Sequence, residues 1–327
     1  MRRFRLALLA VVALGLAPGT FVREPLPPPD YRSPVHIAWL PVRPLRTGPL
    51  TLAGAWVLSS RNDHFGGYSA LIDRGDGTFL AASDAGRLMV LPRPDLPGAK
   101  APPRLAGFVN FQRVDKLHVD IESLTDTPAT GEVSAGLEWA NAIIRFGPRL
   151  QRRREVRPAA MKEWGSNSGP ESLVRLSDGR FLTIEERTRD DGGHDALLFS
   201  ADPTRGGKPL RFVVEGIPGY RPADATRLPD GRLLVVMRRL EWALPLRFSA
   251  RLAIADPAAI RPGLVLPLIP LATIDRPLPT DNYEGAAVTL EPDGAWAIWL
   301  ISDDNFASFQ RTLLLKLVWS HPPARQP

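Results

Sequence analysis

Residues 169–186 read GPESLVRLSDGRFLTIEE, and the pattern in these residues predicts the fold class. A short, mostly apolar run with an acid near its start leads to the pair Asp178-Gly179, and a second apolar run follows. An Asp-Gly pair between two such runs is a strong signal for a β-hairpin. The stretch therefore predicts two antiparallel strands joined by a tight turn.

The same pattern recurs along the chain. Equivalent segments begin at Gly67, Asp120, Pro222 and Tyr283. They start about 50 to 60 residues apart, which is the repeat length typical of propeller blades. A single blade cannot bury both of its faces, so blades pack against one another around an axis. The repeats therefore predict an all-β β-propeller with little helix.

The boundaries of this propeller follow from the flanking segments. Two strand-like segments near the ends, Leu50–Ser59 and Thr312–Trp319, are suited to pair with each other. We therefore predict a six-bladed ring over residues 50–320, closed by N- and C-terminal strands. Residues 21–49 are rich in proline and are predicted to be a linker.

The first 20 residues carry an export signal. Arg2, Arg3 and Arg5 precede an apolar segment, 6–17, which is shorter than the roughly 20 residues that a membrane span needs. These features predict a signal peptide and a periplasmic or extracellular protein. An uncleaved N-terminal anchor is the alternative, because a proline follows the candidate cleavage site, and it is the only membrane contact that we predict.

The composition excludes several kinds of site. None of the 327 residues is cysteine, which excludes disulfides, thiolate nucleophiles and zinc sites built on Cys. The net charge of +6 lies largely at the N-terminus and in the run 149–157, predicted as a solvated loop. Stacking aromatics are not interleaved with these charges, so no nucleic-acid partner is predicted. We expect a monomer.

Each repeat places an acid or a small polar residue near the start of its first strand. The first strand of a propeller blade lines the central channel, so these side chains are predicted to meet at one rim. Carboxylates that lie close together in a channel of low dielectric repel one another strongly. The positions are Ser69, Glu122, Glu171, Asp224 and Glu284.

Two kinds of positive charge can compensate such a cluster. A hard cation with oxygen ligands, most plausibly Ca²⁺, is the first. Its candidate ligands are Glu122, Glu171, Asp224, Glu284, Asp84 and Asp303. Arginines that follow the second strands are the other. In that case, ion pairs between the acids and these arginines hold neighbouring blades together. The candidate substrate-binding residues are Arg187, Arg239, Arg311 and His64.

Several of these segments resemble the phytase-like family that is described by an esterase-like activity of phytase. The segments are Phe65–Leu71 (FGGYSAL), Pro170–Leu173 (PESL), Tyr283–Ala287 (YEGAA), Ser302–Phe306 (SDDNF) and Gln310–Leu315 (QRTLLL). The resemblance covers 56–319 and implies a propeller with hydrolase activity on esters or phosphoesters. Family members often carry an acidic-aromatic segment ending in His-Arg-Ile, where residues 138–143 of this chain read EWANAI.

The sequence thus favours an exported hydrolase of ester or phosphoester bonds that uses a carboxylate-held cation on a small anionic substrate. A non-catalytic propeller that binds a ligand or a cell-envelope partner is the first alternative. A lactonase-like hydrolase is the second, by analogy of fold alone. Metal-dependent turnover separates the enzymes from the binding protein.

Overall fold

The computed structural model describes residues 31–97, 101–108, 119–243, 247–307 and 309–325. The predicted signal peptide or anchor, residues 1–20, lies outside these ranges. The described chain is built almost entirely of β-strands, with three 3-10 helices at Ala159–Met161, Pro203–Arg205 and Pro257–Ala259. Within the described ranges, no helix has the length and hydropathy of a membrane span.

The strands are short and follow one another through tight turns. In chain order they are β1 (Val35–Trp39), β2 (Arg46–Thr47), β3 (Leu50–Ser60), β4 (Tyr68–Asp73), β5 (Thr78–Ser83), β6 (Arg87–Pro92), β7 (Arg104–Gly107), β8 (Ile121–Thr127), β9 (Glu132–Leu137), β10 (Ala142–Phe146), β11 (Arg152–Val156), β12 (Pro170–Arg175), β13 (Phe181–Thr188), β14 (His194–Phe199), β15 (Pro209–Val214), β16 (Arg221–Arg227), β17 (Leu233–Glu241), β18 (Arg247–Ala255), β19 (Val265–Leu266), β20 (Ile269–Ile274), β21 (Asn282–Leu290), β22 (Trp296–Asp303) and β23 (Thr312–Trp319).

These strands form five sheets, which we call blades one to five. Blade one contains β4 to β7 and blade two β8 to β11. Blade three contains β12 to β15 with β19 at its outer edge, and blade four contains β16, β17, β18 and β20. Blade five contains β21, β22, β23, β3 and β1, and β2 pairs with β3. The all-β propeller is thus confirmed.

The predicted count of six blades is wrong, because the structure has five. The first strands of the chain do not start a further blade: β3 pairs with β23, with Trp56 opposite Leu314. Part of the predicted linker also belongs to this sheet, since β1 pairs with β3. The arginine-rich run predicted as a loop includes β11, the outer strand of blade two.

The five first strands of the blades surround one axis. β4, β8, β12, β16 and β21 contact one another in this order, and β21 contacts β4. The apolar core lies between neighbouring blades. For example, the ring centre of the buried Trp299 in blade five lies 5.0 Å from that of Phe79 in blade one. It lies 5.7 Å from the ring centre of Trp56 in its own blade. Burial of such aromatic rings stabilises the contact between blades.

Candidate functional site

A β-bulge interrupts the start of every inner strand. The pairing with the second strand shifts between 68 and 70, 121 and 123, 170 and 172, 222 and 224, and 283 and 285. A bulge leaves one residue without a partner and re-aims its side chain. The bulged residues are Ser69, Glu122, Glu171, Ala223 and Glu284. Of these, all but Ala223 line a cavity of about 530 Å³ at one mouth of the channel.

Asp224, predicted to join this group, lies elsewhere. In blade four the bulged residue is Ala223, and Asp224 is the next residue along the strand. Its Oδ1 accepts the backbone N–H of Ala225 and its Oδ2 that of Ala286, each at 2.7 Å. Because neighbouring residues of a strand point to opposite faces, a slip of one position turns the side chain away from the channel. Asp224 connects blade four to blade five.

A second set of cavity residues comes from the second strand of each blade. In each blade, the residue just before the bulge pairs with a residue of the second strand, and the cavity residue comes directly after that partner. The five positions are therefore equivalent. Four are acids, and the fifth, in blade four, is an arginine. They are Asp84, Glu138, Glu186, Arg238 and Asp303, and all line the cavity. The cavity therefore combines two rings of equivalent positions, and blade four departs from the acidic pattern in both.

The cavity is strongly acidic. Its basic residues are Arg221, Arg238 and Arg239, all from blade four. Arg238 is the best placed, since its Nη2 lies 3.0 Å from Glu186 and its Nε 3.1 Å from Glu284. The carboxylates are Asp84, Asp120, Glu122, Glu138, Glu171, Glu186, Glu284 and Asp303.

Two groups of carboxylates lie close together in blades two and three. Asp120, Glu122 and Glu138 each offer an oxygen within 4.8 Å of the others, and so do Glu138, Glu171 and Glu186. Glu138 is common to both groups. Among the described residues, no Lys or Arg forms an ion pair with Glu122, Glu138 or Glu171.

Burial and mutual repulsion shift the protonation of these acids. Burial, with the nearby charge of Asp120, raises the pKa of Glu138 to about 8. Burial also raises the pKa of Glu122 well above its ordinary value, and Glu171 adds to the shift. The pKa of Glu171 rises in the same way, from burial and from Glu186. These three side chains therefore tend to stay protonated unless a cation binds between them.

Arg238 limits the rise in pKa on the other side of the cavity, at Glu284. Burial raises the pKa of Glu284, and the Arg238 guanidinium opposes that rise. Burial acts to lower the pKa of Arg238 itself, but the carboxylates of Glu284 and Glu186 outweigh it and raise the pKa. Asp303 also lies in the cavity, and its pKa is raised by burial and by Glu284.

The predicted substrate-binding residues do not all reach the cavity. Arg239 lines it. Arg187 is exposed outside it and forms an ion pair with Glu185 at 3.2 Å. Arg311 and His64 also lie outside the cavity lining, and Nδ1 of His64 lies 3.3 Å from Arg87.

Several cavity residues, Arg221 among them, were not singled out from the sequence as ligands or contacts. Asp120 precedes the bulge of blade two, and Glu138 follows β9. Trp242, which is 88% exposed, lies on the rim. The signal for Glu138 was present, since it follows β9 just as Asp84, a predicted ligand, follows β5.

Comparison with solved structures finds matches at low identity. A gluconolactonase from Xanthomonas campestris is 10% identical with a TM-score of 0.46, and the match covers 90% of this chain and 99% of that one. A luciferin-regenerating enzyme is 13% identical with a TM-score of 0.45, covering 91% and 93%. The hydrazine synthase of Kuenenia stuttgartiensis is 14% identical with a TM-score of 0.41, covering 88% and 80%.

Comparison with families is more decisive. No curated protein matches the chain significantly. The model of one family, in contrast, matches residues 63–306, a range that starts just before blade one and ends within blade five. The range includes every carboxylate of the cavity. The chain therefore belongs to the phytase-like family, which is described by an esterase-like activity of phytase.

Proposed function

We propose that the protein is an exported hydrolase that cleaves ester or phosphoester bonds of small anionic substrates in the acidic cavity. The observation that carries the proposal is the convergence of eight carboxylates at one mouth of the channel. Buried carboxylates with raised pKa values are costly to maintain, and such groups cluster at functional sites. The family description agrees with this reaction class.

The residues of the cavity fit a hard divalent cation such as Ca²⁺. Carboxylate oxygens are its preferred ligands, and Asp120, Glu122 and Glu138 would hold it, with Glu171 and Glu186 alongside. Asp84, Glu284 and Asp303, also predicted as ligands, lie in the same cavity. When bound, such a cation supplies positive charge that polarises the ester oxygen and makes water more acidic.

The protein's own side chains supply the remaining functions. With its carboxylate ionised, Glu138 is suited to accept a proton from an attacking water. Arg221 and Arg239 present guanidinium groups at the rim, where they would bind the anionic part of the substrate. Arg238 holds Glu186 and Glu284 in place by ion pairs.

Hydrolysis assays test the proposal directly. The purified protein would be assayed on p-nitrophenyl phosphate and p-nitrophenyl acetate, with calcium chloride and then with EDTA, and calcium binding would be measured by calorimetry. We expect turnover of at least one ester that is lost in EDTA and restored by calcium. Absence of calcium binding would remove the metal from the mechanism, and absence of turnover on both esters would count against the hydrolase.

One observation favours a second candidate, a propeller that binds a ligand or a cell-envelope partner without catalysis. Arg238 neutralises part of the cluster with no cation required. The stretch 138–143 also lacks the His and Arg that family members often carry there. Tight binding of a small anion without turnover in calcium would support this candidate.

The stability of the metal-free protein is expected to fall as the pH rises from about 5 to 8. The pKa of Glu138 is raised from 4.5 to about 8, so the folded protein keeps a proton that the unfolded chain releases. The associated stability is complete below the unfolded pKa and is lost as the pH rises through the folded pKa. Thermal unfolding in EDTA would show the midpoint falling across this range.

Calcium is expected to reverse this trend, because only deprotonated carboxylates bind the ion. The midpoint should therefore rise more at pH 8 than at pH 5 when calcium is added. Glu138→Gln serves as the comparison and should flatten the fall seen in EDTA. A midpoint in EDTA that stays constant from pH 5 to 8 would contradict the raised pKa of Glu138.

Export is part of the same proposal and rests on residues 1–20 of the sequence. Cell fractionation of the full chain would place the protein in the periplasm or medium if the segment is cleaved. A membrane-bound, full-length product would support the uncleaved anchor instead, and a soluble cytoplasmic product would contradict export.

A further inference from the structure

A second cavity, of about 700 Å³, adjoins the acidic one. The two share Gly219 and Arg221 in their linings, so they are continuous at the start of blade four. The second cavity is an open cleft between blades three and four, and we call it the side cleft. Its apolar lining includes Val213, Ile217 and Val265.

The side cleft is built by a strand that changes blades. β19 lies between β18 and β20 of blade four in the chain, yet it pairs in parallel with β15 of blade three. The pairing places Val265 opposite Val213. Val265 is 53% exposed, although it lies on a sheet, so its apolar side chain is available to a ligand.

Glycines keep the cleft open. Gly192, Gly193, Gly216 and Gly219 all line it and contribute no side chain. A Cβ on Gly193 would lie 2.6 Å from Cγ1 of Val213, and one on Gly216 would collide with the carbonyl oxygen of Gly192. At Gly193 and Gly216 the neighbouring atoms therefore lie too close for a larger residue.

Arg221 stands at the junction of the two cavities. Its side chain is 60% exposed, and its Nη1 lies 3.4 Å from Oε2 of Glu186. Arg239 lies nearby over the ring of Tyr220, at 4.6 Å, and is held by Glu241 at 2.7 Å. A single negative group at this junction would therefore face guanidinium donors, with the acidic cavity on one side and on the other the side cleft, whose lining includes Asp191 and Glu215 besides its apolar residues.

We propose that the side cleft binds the apolar part of an amphiphilic ester whose anionic group lies at Arg221. This inference rests on the proposed function and names its substrate class. A compact polyanion would leave the cleft empty, and among the described residues it would face eight carboxylates and three arginines in the acidic cavity. An ester with one negative charge and an alkyl or aryl chain uses both cavities.

Binding of alkylphosphonates tests the cleft without requiring hydrolysis. Calorimetry on the full chain would compare hexylphosphonate with methylphosphonate, which share the anionic group and differ in chain length. We expect hexylphosphonate to bind at least about tenfold more tightly, the gain from burying roughly two methylene groups. Val265→Glu should remove this difference, because a carboxylate in the side cleft opposes burial of the longer chain.

Ile269→Glu is the matched control. Ile269 is also an exposed apolar residue, 61% exposed, in β20 close to β19 in the chain, but it lines neither cavity. We expect this variant to keep the full preference for the longer chain. If both variants lost the preference for the longer chain equally, the effect would come from the added surface charge, and the proposal would be wrong.

The kinetic counterpart uses the mono-p-nitrophenyl esters of hexylphosphonate and methylphosphonate, each of which carries one negative charge. The ratio of kcat/KM for the hexyl ester over the methyl ester should fall about tenfold in Val265→Glu. Failure of the proposed function would appear as no turnover of any ester alongside a retained preference for hexylphosphonate. Failure of the cleft inference would appear as equal binding of both phosphonates, or binding of neither, whatever the turnover.

Discussion

Replacing Glu138 by glutamine is expected to abolish calcium binding and to lower kcat/KM by about 100-fold or more. Glu138 belongs to both groups of carboxylates whose oxygens lie within 4.8 Å of one another. The amide keeps the size of the side chain but removes its charge and its capacity to accept a proton. Calorimetry and steady-state kinetics at pH 8 would measure the two effects.

A matched variant separates this effect from a general loss of acidity. Glu132 lies in the same blade, at the other end of β9, and pairs with Arg145 at 3.4 Å and Arg205 at 2.7 Å. Glu132→Gln should bind calcium and turn over ester as the unmodified protein does. Normal calcium affinity in Glu138→Gln would show that the two carboxylate groups are structural, as the binding-protein candidate requires.

The Asp224→Ala variant is expected to lose about 3 kcal/mol of unfolding free energy while keeping its calcium affinity. The carboxylate accepts two buried backbone N–H groups, one of them from the next blade. Removing it leaves both donors without this acceptor, and a hydrogen bond to a charged or buried acceptor contributes about 1 to 3 kcal/mol. Urea unfolding and calcium calorimetry would measure the two properties.

Asp230→Ala is the control for this prediction. Asp230 accepts the N–H of Arg232 at 3.0 Å and pairs with its side chain, so its contacts stay within one turn of blade four. Its loss should cost about 1 kcal/mol. A large drop in calcium affinity in Asp224→Ala, at unchanged stability, would return Asp224 to the set of ligands.

The sequence was sufficient to predict the propeller and the convergence of its acids. Both rest on the Asp-Gly hairpins, whose turn chemistry is local and repeats in blades one, three, four and five. Glu122, Glu171 and Glu284 could be placed because each starts the first strand of its repeat, and they do line one cavity. Local patterns of this kind persist through folding.

The features that were mispredicted depend on how strands pair. The blade count failed because β3 joins the sheet of the last repeat. Asp224 was misplaced because a bulge shifts a strand by one residue, and Ala223 takes the channel position in blade four. Glu138 was missed although it follows β9 as Asp84 follows β5. Register across strands is set by the assembled sheet.

The pairing of β3 with β23 also has a consequence for the order of biosynthesis. Leu50–Ser60 emerges early from the ribosome, whereas its hydrogen-bonding neighbour, Thr312–Trp319, emerges some 250 residues later. Until then the edge of β3 that faces away from β1 lacks its hydrogen-bonding partner, and such an open edge of an apolar strand is able to pair with another nascent chain. If the proposed export takes place before folding, this edge of β3 stays open until Thr312–Trp319 has also crossed the membrane and paired with it.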